Sequence, residues 1–108
     1  MIKKTWGHEI ITADTEYYRG KILTIKKGHS IHLQRHEKKD ETMYVLSGKG
    51  YIAKDEGSYG KFVLMSPGEI YRVKAGEVHK VWATSDELKI IETSTSTPDS
   101  DVEHLEKE

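Results

Sequence analysis

A chain of 108 residues is long enough for one hydrophobic core and too short for two, so it reads as a single domain, 1–108. With 35% hydrophobic residues, 32% charged residues and a net charge of -1, it offers neither an apolar run for a membrane span nor the basic footprint of a nucleic-acid binder. A small molecule is the expected partner. Cysteine is absent, which excludes disulfides and thiolate ligands and leaves imidazole, carboxylate or amide to hold any metal. The opening M-I-K-K-T-W-G carries no secretory-type apolar run, and a cytoplasmic location is expected.

Short strands separated by glycine-bearing turns then follow in order. Residues 4–13, with Trp6, Ile10 and Ile11 among polar neighbours, form a first strand, and 17–25 a second that ends at Lys26-Lys27-Gly28. Strands at 30–36, 41–46 and 51–54 come next. The turn Ser47-Gly48-Lys49-Gly50 predicts a hairpin between the last two, because glycine supplies the positive φ that tight turns need. Beyond a turn at 55–60 lie strands at 61–66, closed by Pro67-Gly68, at 70–73, at 79–83 after Lys74-Ala75-Gly76-Glu77, and at 87–94. No long helical pattern separates them, so an all-β sandwich or barrel over about 4–94 is predicted. The tail, 95–108, changes character: it is rich in Ser and Thr and carries Pro98. There Ser100 with Glu103 matches a capping box, Val102 with Leu105 makes a narrow apolar stripe, and a short helix is expected.

The stretch 28–50 concentrates the chemistry. Period-two alternation puts His32, Gln34 and His36 on one face of their strand and Ile31, Leu33 and Arg35 on the other. Glu41, Met43, Val45 and Ser47 form the same-parity set of the next strand, so the Glu41 carboxylate can come round to the His36 imidazole. A mononuclear metal site is built on a sheet in this way. Tyr44 and Trp82 take the parity opposite to Glu41 and His79 and are placed outside the barrel. Beside Leu33 and Leu46 they would make an apolar patch for a second copy to cover, and a homodimer is expected. Lys21, Lys39, Arg72 and Lys74 are candidates for holding an anionic substrate group near the mouth.

Gly28, Gln34-x-His36, Glu41 and Gly48, followed by Gly60, Pro67, Gly68 and His79, resemble the two motifs of the cupin superfamily in order and spacing. Gln34 in place of a first histidine resembles the mannose-6-phosphate isomerase branch, as do Trp6-Gly7, Lys39 and Ile91-Glu92, and the resemblance runs from Trp6 to about Glu106. It implies a small double-stranded β-helix, or jelly-roll, barrel. It also implies one divalent metal ion (Zn, Mn, Fe or Ni) on Gln34, His36, Glu41 and His79, and isomerisation of a sugar or sugar phosphate. Such a reaction moves a proton between adjacent carbons, with a Lewis acid on two substrate oxygens and a base that titrates near neutral pH. His32, Glu92 and His104 are candidate bases, and Lys39 could polarise the developing oxyanion. The tail departs from the branch, because His104 stands where an active-site arginine would fall. Two other functions fit the same residues: a metal- and sugar-binding sensor without catalysis, and a mononuclear Fe(II) dioxygenase using His36, His79 and Glu41.

Overall fold

The computed structural model describes residues 1–54 and 62–105; the turn expected at 55–60, with Gly60, lies outside the described residues, as do Lys61 and Glu106. The strands are β1 (Ile2–Lys4), β2 (Gly7–Asp14), β3 (Tyr18–Lys26), β4 (Ser30–Arg35), β5 (Glu41–Ser47) and β6 (Gly50–Lys54). They continue with β7 (Phe62–Met65), β8 (Ile70–Val73), β9 (His79–Ala83), β10 (Glu87–Thr95) and β11 (Glu103–His104). Six pair in the order β1-β2-β3-β10-β5-β8 and five in the order β11-β4-β9-β6-β7, antiparallel throughout. Together they make a two-sheet, jelly-roll barrel. No helix among the described residues is long and apolar enough to cross a membrane.

Each inward face changes polarity along its length. On β10, Leu88 and Ile90 enter the core while Glu92 and Ser94 continue the same buried row; on β5, Val45 and Met43 lead to Glu41; on β9, Ala83 and Val81 lead to His79. The apolar ends meet Leu23, Ile25, Ile52, Met65 and Val73 in one core. The polar ends are thereby gathered at the opposite end of the barrel. On the outer face of the five-stranded sheet, Tyr51, Phe62 and Trp82 stack with ring centroids 5.4, 5.6 and 5.8 Å apart, and Tyr44 is exposed on the outer face of the other sheet.

Four expectations are corrected. The single strand at 4–13 is a hairpin of β1 and β2, turned at Thr5-Trp6: Trp6 is buried, and Gly7, which opens β2, has φ 152° with no room for a Cβ beside the Thr24 carbonyl. The turn at Ser47 to Gly50 does not close a hairpin. It carries the chain from one sheet to the other, so that β5 pairs with β10 and β8 while β6 pairs with β9 and β7.

Strict alternation also fails on β4. Ile31 faces Val81 and Gln34 faces His79, so two residues of β4 stand opposite Lys80 alone, and this bulge lets Ile31 pack on the core while His32 and Gln34 still line the cavity. The tail, finally, forms β11 against β4 with Glu103 opposite Arg35 and His104 opposite Gln34. Glu103 binds Arg35 Nε and Nη2 at 3.0 and 2.6 Å, and so does not cap a helix.

Gly50 is a tight point of the crossing between sheets, because a Cβ there would overlap the Trp82 carbonyl and approach Leu88 Cδ2 to 2.7 Å. Gly50→Ala should cost about 1–3 kcal/mol of stability through overpacking. Urea unfolding measures it, and an unchanged midpoint would contradict this packing.

Candidate metal centre

His36, Glu41 and His79 each offer a ligand atom, all within 4.8 Å of one another. Glu41 starts β5, His79 starts β9 and His36 directly follows β4, so the cluster joins both sheets at the polar end of the barrel. Second contacts orient the rings. His36 Nδ1 lies 2.7 Å from the Asp101 carbonyl and His79 Nδ1 lies 3.2 Å from the Glu77 carbonyl. A carbonyl only accepts, so each Nδ1 carries the proton and donates, and each Nε2 is left with a lone pair.

Glu41 Oε1 and His79 Nε2 are both buried, stand 3.0 Å apart and complete no hydrogen bond. In the neutral ring, with Nδ1 donating to the Glu77 carbonyl, this contact sets two lone pairs on common space. Donor atoms about 2.0–2.2 Å from one ion, at roughly a right angle to each other, would stand about 3 Å apart. The residues present therefore fit a divalent ion, with nitrogen and carboxylate donors suited to several first-row metals. Gln34 lies opposite His79 in the strand register and lines the same cavity.

Around this cluster the charges are interlocked. Lys39 Nζ lies 3.3 Å from Glu41 Oε2 and 3.6 Å from Glu92 Oε2. Burial alone would raise Glu41, but its contacts with His79 and Glu92 and the charge of Lys39 hold it well below the usual carboxylate range. Glu92 is pushed up to about 8, first by burial and then by the neighbouring charge of Glu41. Burial would lower Lys39, yet Glu92 and Glu41 together raise it, while burial depresses His36. Glu41 is thereby kept ionised beside the Lys39 ammonium, while Glu92 is brought to titrate near neutral pH.

Of the other residues singled out in the sequence, Lys21, His32, Lys39, Glu92 and His104 line a cavity of about 460 Å³ that includes the cluster. Arg72 and Lys74 do not. Arg72 holds Asp40 through Nε and Nη2 at 3.1 and 2.6 Å and is largely exposed, and Lys74 donates its backbone N–H to Glu77 Oε1 at 2.7 Å in the turn after β8. Two contributors escaped sequence reasoning. Asp101 accepts the backbone N–H groups of Glu37, Lys38 and Lys39 at 2.9, 3.1 and 3.0 Å while its carbonyl orients His36; Glu9 is buried on β2 and faces the cavity. An aspartate in a tail that reads as helical gives no local sign of either task.

The fold and cluster define a jelly-roll barrel with a two-histidine, one-carboxylate group that can hold a metal ion. The cupin domain family profile matches residues 21–93, and the chain belongs to that family. KdgF from Halomonas sp. superposes with a TM-score of 0.76 at 20% identity, over 85% of this chain and 80% of that one. A provisionally assigned sugar phosphate isomerase from Acidithiobacillus ferrooxidans gives 0.65 at 18% identity over 75% and 51%. The oxalate decarboxylase of Lactobacillus farciminis gives 0.77 at 17% identity over 95% and 32%. These likenesses establish the fold. No curated sequence matches the chain.

Because the Asp101 side chain holds the loop at 37–39 and its carbonyl orients His36, Asp101→Ala should weaken metal affinity about 10–100-fold while the barrel stays folded. Competition with a chromogenic chelator measures this, and unchanged affinity would show that the Asp101 backbone carbonyl holds His36 without help from the side chain.

Proposed function

We propose that this protein is a metal-dependent isomerase of a sugar or sugar phosphate, moving a proton between adjacent carbons. The observation that carries the reading is the Glu92–Lys39 pair, 3.6 Å apart, set beside the ligating carboxylate Glu41 inside the cavity. Coordination needs only Glu41 from this group. A second carboxyl with a lysine at its side is what a proton transfer next to a metal requires. The Gln34-x-His36 motif, which resembles the mannose-6-phosphate isomerase branch, supports the same reading.

A divalent ion on His36, Glu41 and His79 would supply Lewis acidity to two adjacent substrate oxygens. Ionised Glu92 takes the proton from one carbon and returns it to its neighbour while a hydroxyl proton passes between the two oxygens, and Lys39 steadies the negative charge that appears between these events. The core-side residues Met43 and Leu23 close the floor of the cavity and keep water from the transferred proton. His32 and His104 line the cavity from β4 and β11 and are the alternative bases.

Glu92→Gln should lower aldose–ketose interconversion at least about 100-fold with metal content unchanged. Exchange of the C2 hydrogen for deuterium, followed by NMR, reads the proton transfer directly. Retained exchange in the variant would move the base to His32 or His104. A wild-type protein that binds sugars and returns them without exchange would be a sensor, and oxygen consumption with an iron-loaded sample would mark a dioxygenase.

A further inference from the structure

Beyond the metal cluster the cavity runs along the six-stranded sheet toward β2 and β3. Glu9 and Lys21 project into it there, with Lys4 at the rim. Glu9 is 6% exposed, a costly place for a carboxylate that serves neither the core nor the metal cluster. Its ammonium neighbours are loose: Lys21 Nζ stands at 3.5 Å and Lys4 Nζ at 3.9 Å, well beyond the roughly 2.7–2.9 Å of a charge-assisted hydrogen bond. Acceptor and donor capacity is thus left open, side by side, on a cavity wall.

The same wall is poorly suited to a phosphate. A compact dianion needs cations free to turn toward it, yet each lysine and arginine that lines the cavity already faces a carboxylate. Lys39 faces Glu41 and Glu92, Lys21 and Lys4 face Glu9, and Arg19 binds Asp14 and Asp99 at 3.1 and 2.8 Å. Lys21 also lies directly opposite Glu92 in the strand register. An added dianion would have to part the lysines from the buried carboxylates Glu9, Glu41 and Glu92, or Arg19 from its two exposed aspartates, whereas a hydroxyl can accept from Lys21 and donate to Glu9 without separating them.

We propose that the end of the cavity remote from the metal cluster is a subsite for an uncharged polyhydroxylated chain, a free sugar or alditol and not a phosphate ester, whose hydroxyls bridge Glu9 and Lys21. The inference deepens the isomerase reading, on which it rests for the choice of sugars. Glu9 and Lys21 are then the specificity-determining residues, and the ligand spans from the metal cluster to β2.

Titration calorimetry on the full Mn(II)-loaded chain tests this with mannitol, which cannot isomerise, and mannitol 1-phosphate. Mannitol should bind at least 10-fold more tightly than its phosphate ester. Glu9→Gln and Lys21→Met, the first nearly isosteric and the second conserving length, should each weaken mannitol about 10-fold with metal content unchanged. Equal or tighter binding of the ester, binding of neither, or variants that bind mannitol as the wild type does would each overturn the proposal. Mannitol binding with no hydrogen exchange on D-fructose would sink the isomerase reading alone. Exchange confined to D-fructose 6-phosphate would sink the subsite and leave the isomerase standing.

Discussion

Glu41 is a carboxylate only 2% exposed inside a β-barrel, and an ionised carboxylate in that position demands positive charge around it. Lys39 answers from one side at 3.3 Å. On the other side His79 Nε2 approaches to 3.0 Å with a lone pair where a proton would be needed, because its Nδ1 is committed to the Glu77 carbonyl. Two acceptors so placed repel unless a cation lies between them. The capacity of this group to hold a metal ion follows from this constraint, and so does the arrangement behind it: Glu92 and Lys39 adjust the charge next to Glu41, and Asp101 fixes the loop that brings Lys39 and His36 into place.

The barrel can carry so many buried charges because core and site occupy different ends of the same strands. Leu88 and Ile90 precede Glu92 on β10 as Val81 follows His79 on β9, so the apolar rows fold the sheet while the polar rows are held by its rigidity. The tail completes the polar end. It pairs with β4 through Glu103 and His104, binds Arg19 through Asp99 and caps the 37–39 amides through Asp101, all polar contacts that draw on no apolar surface.

Much of this was legible in the sequence, and the reasons differ by residue. His36, Glu41 and His79 could be brought together because strand parity is local and because two motifs in the correct order resemble a known family; strand positions from β3 to β10 agree to within a residue or two for the same reason. Parity misled at Ile31, where a bulge inserts a residue, since nothing in Ile31-His32-Leu33-Gln34 announces the slip. Partners misled at Ser47 to Gly50 and in the tail. A glycine turn says that the chain reverses, not which sheet receives it, and the capping pattern of Ser100 and Glu103 lost to the stronger, long-range pair of Glu103 with Arg35. Glu9, Lys21 and Glu92 meet only through the strand order β2-β3-β10, which no local pattern encodes.

The most direct test of the metal centre is elemental analysis of the wild-type chain and His79→Ala, each stripped with chelator, reloaded with excess Mn(II) or Zn(II) and desalted. The convergence of Glu41 Oε1 and His79 Nε2 predicts about one ion per wild-type chain and none retained by the variant, with both proteins showing the same β-sheet circular dichroism. A wild-type chain that retains no ion, or a variant that retains as much as the wild type, would contradict the account.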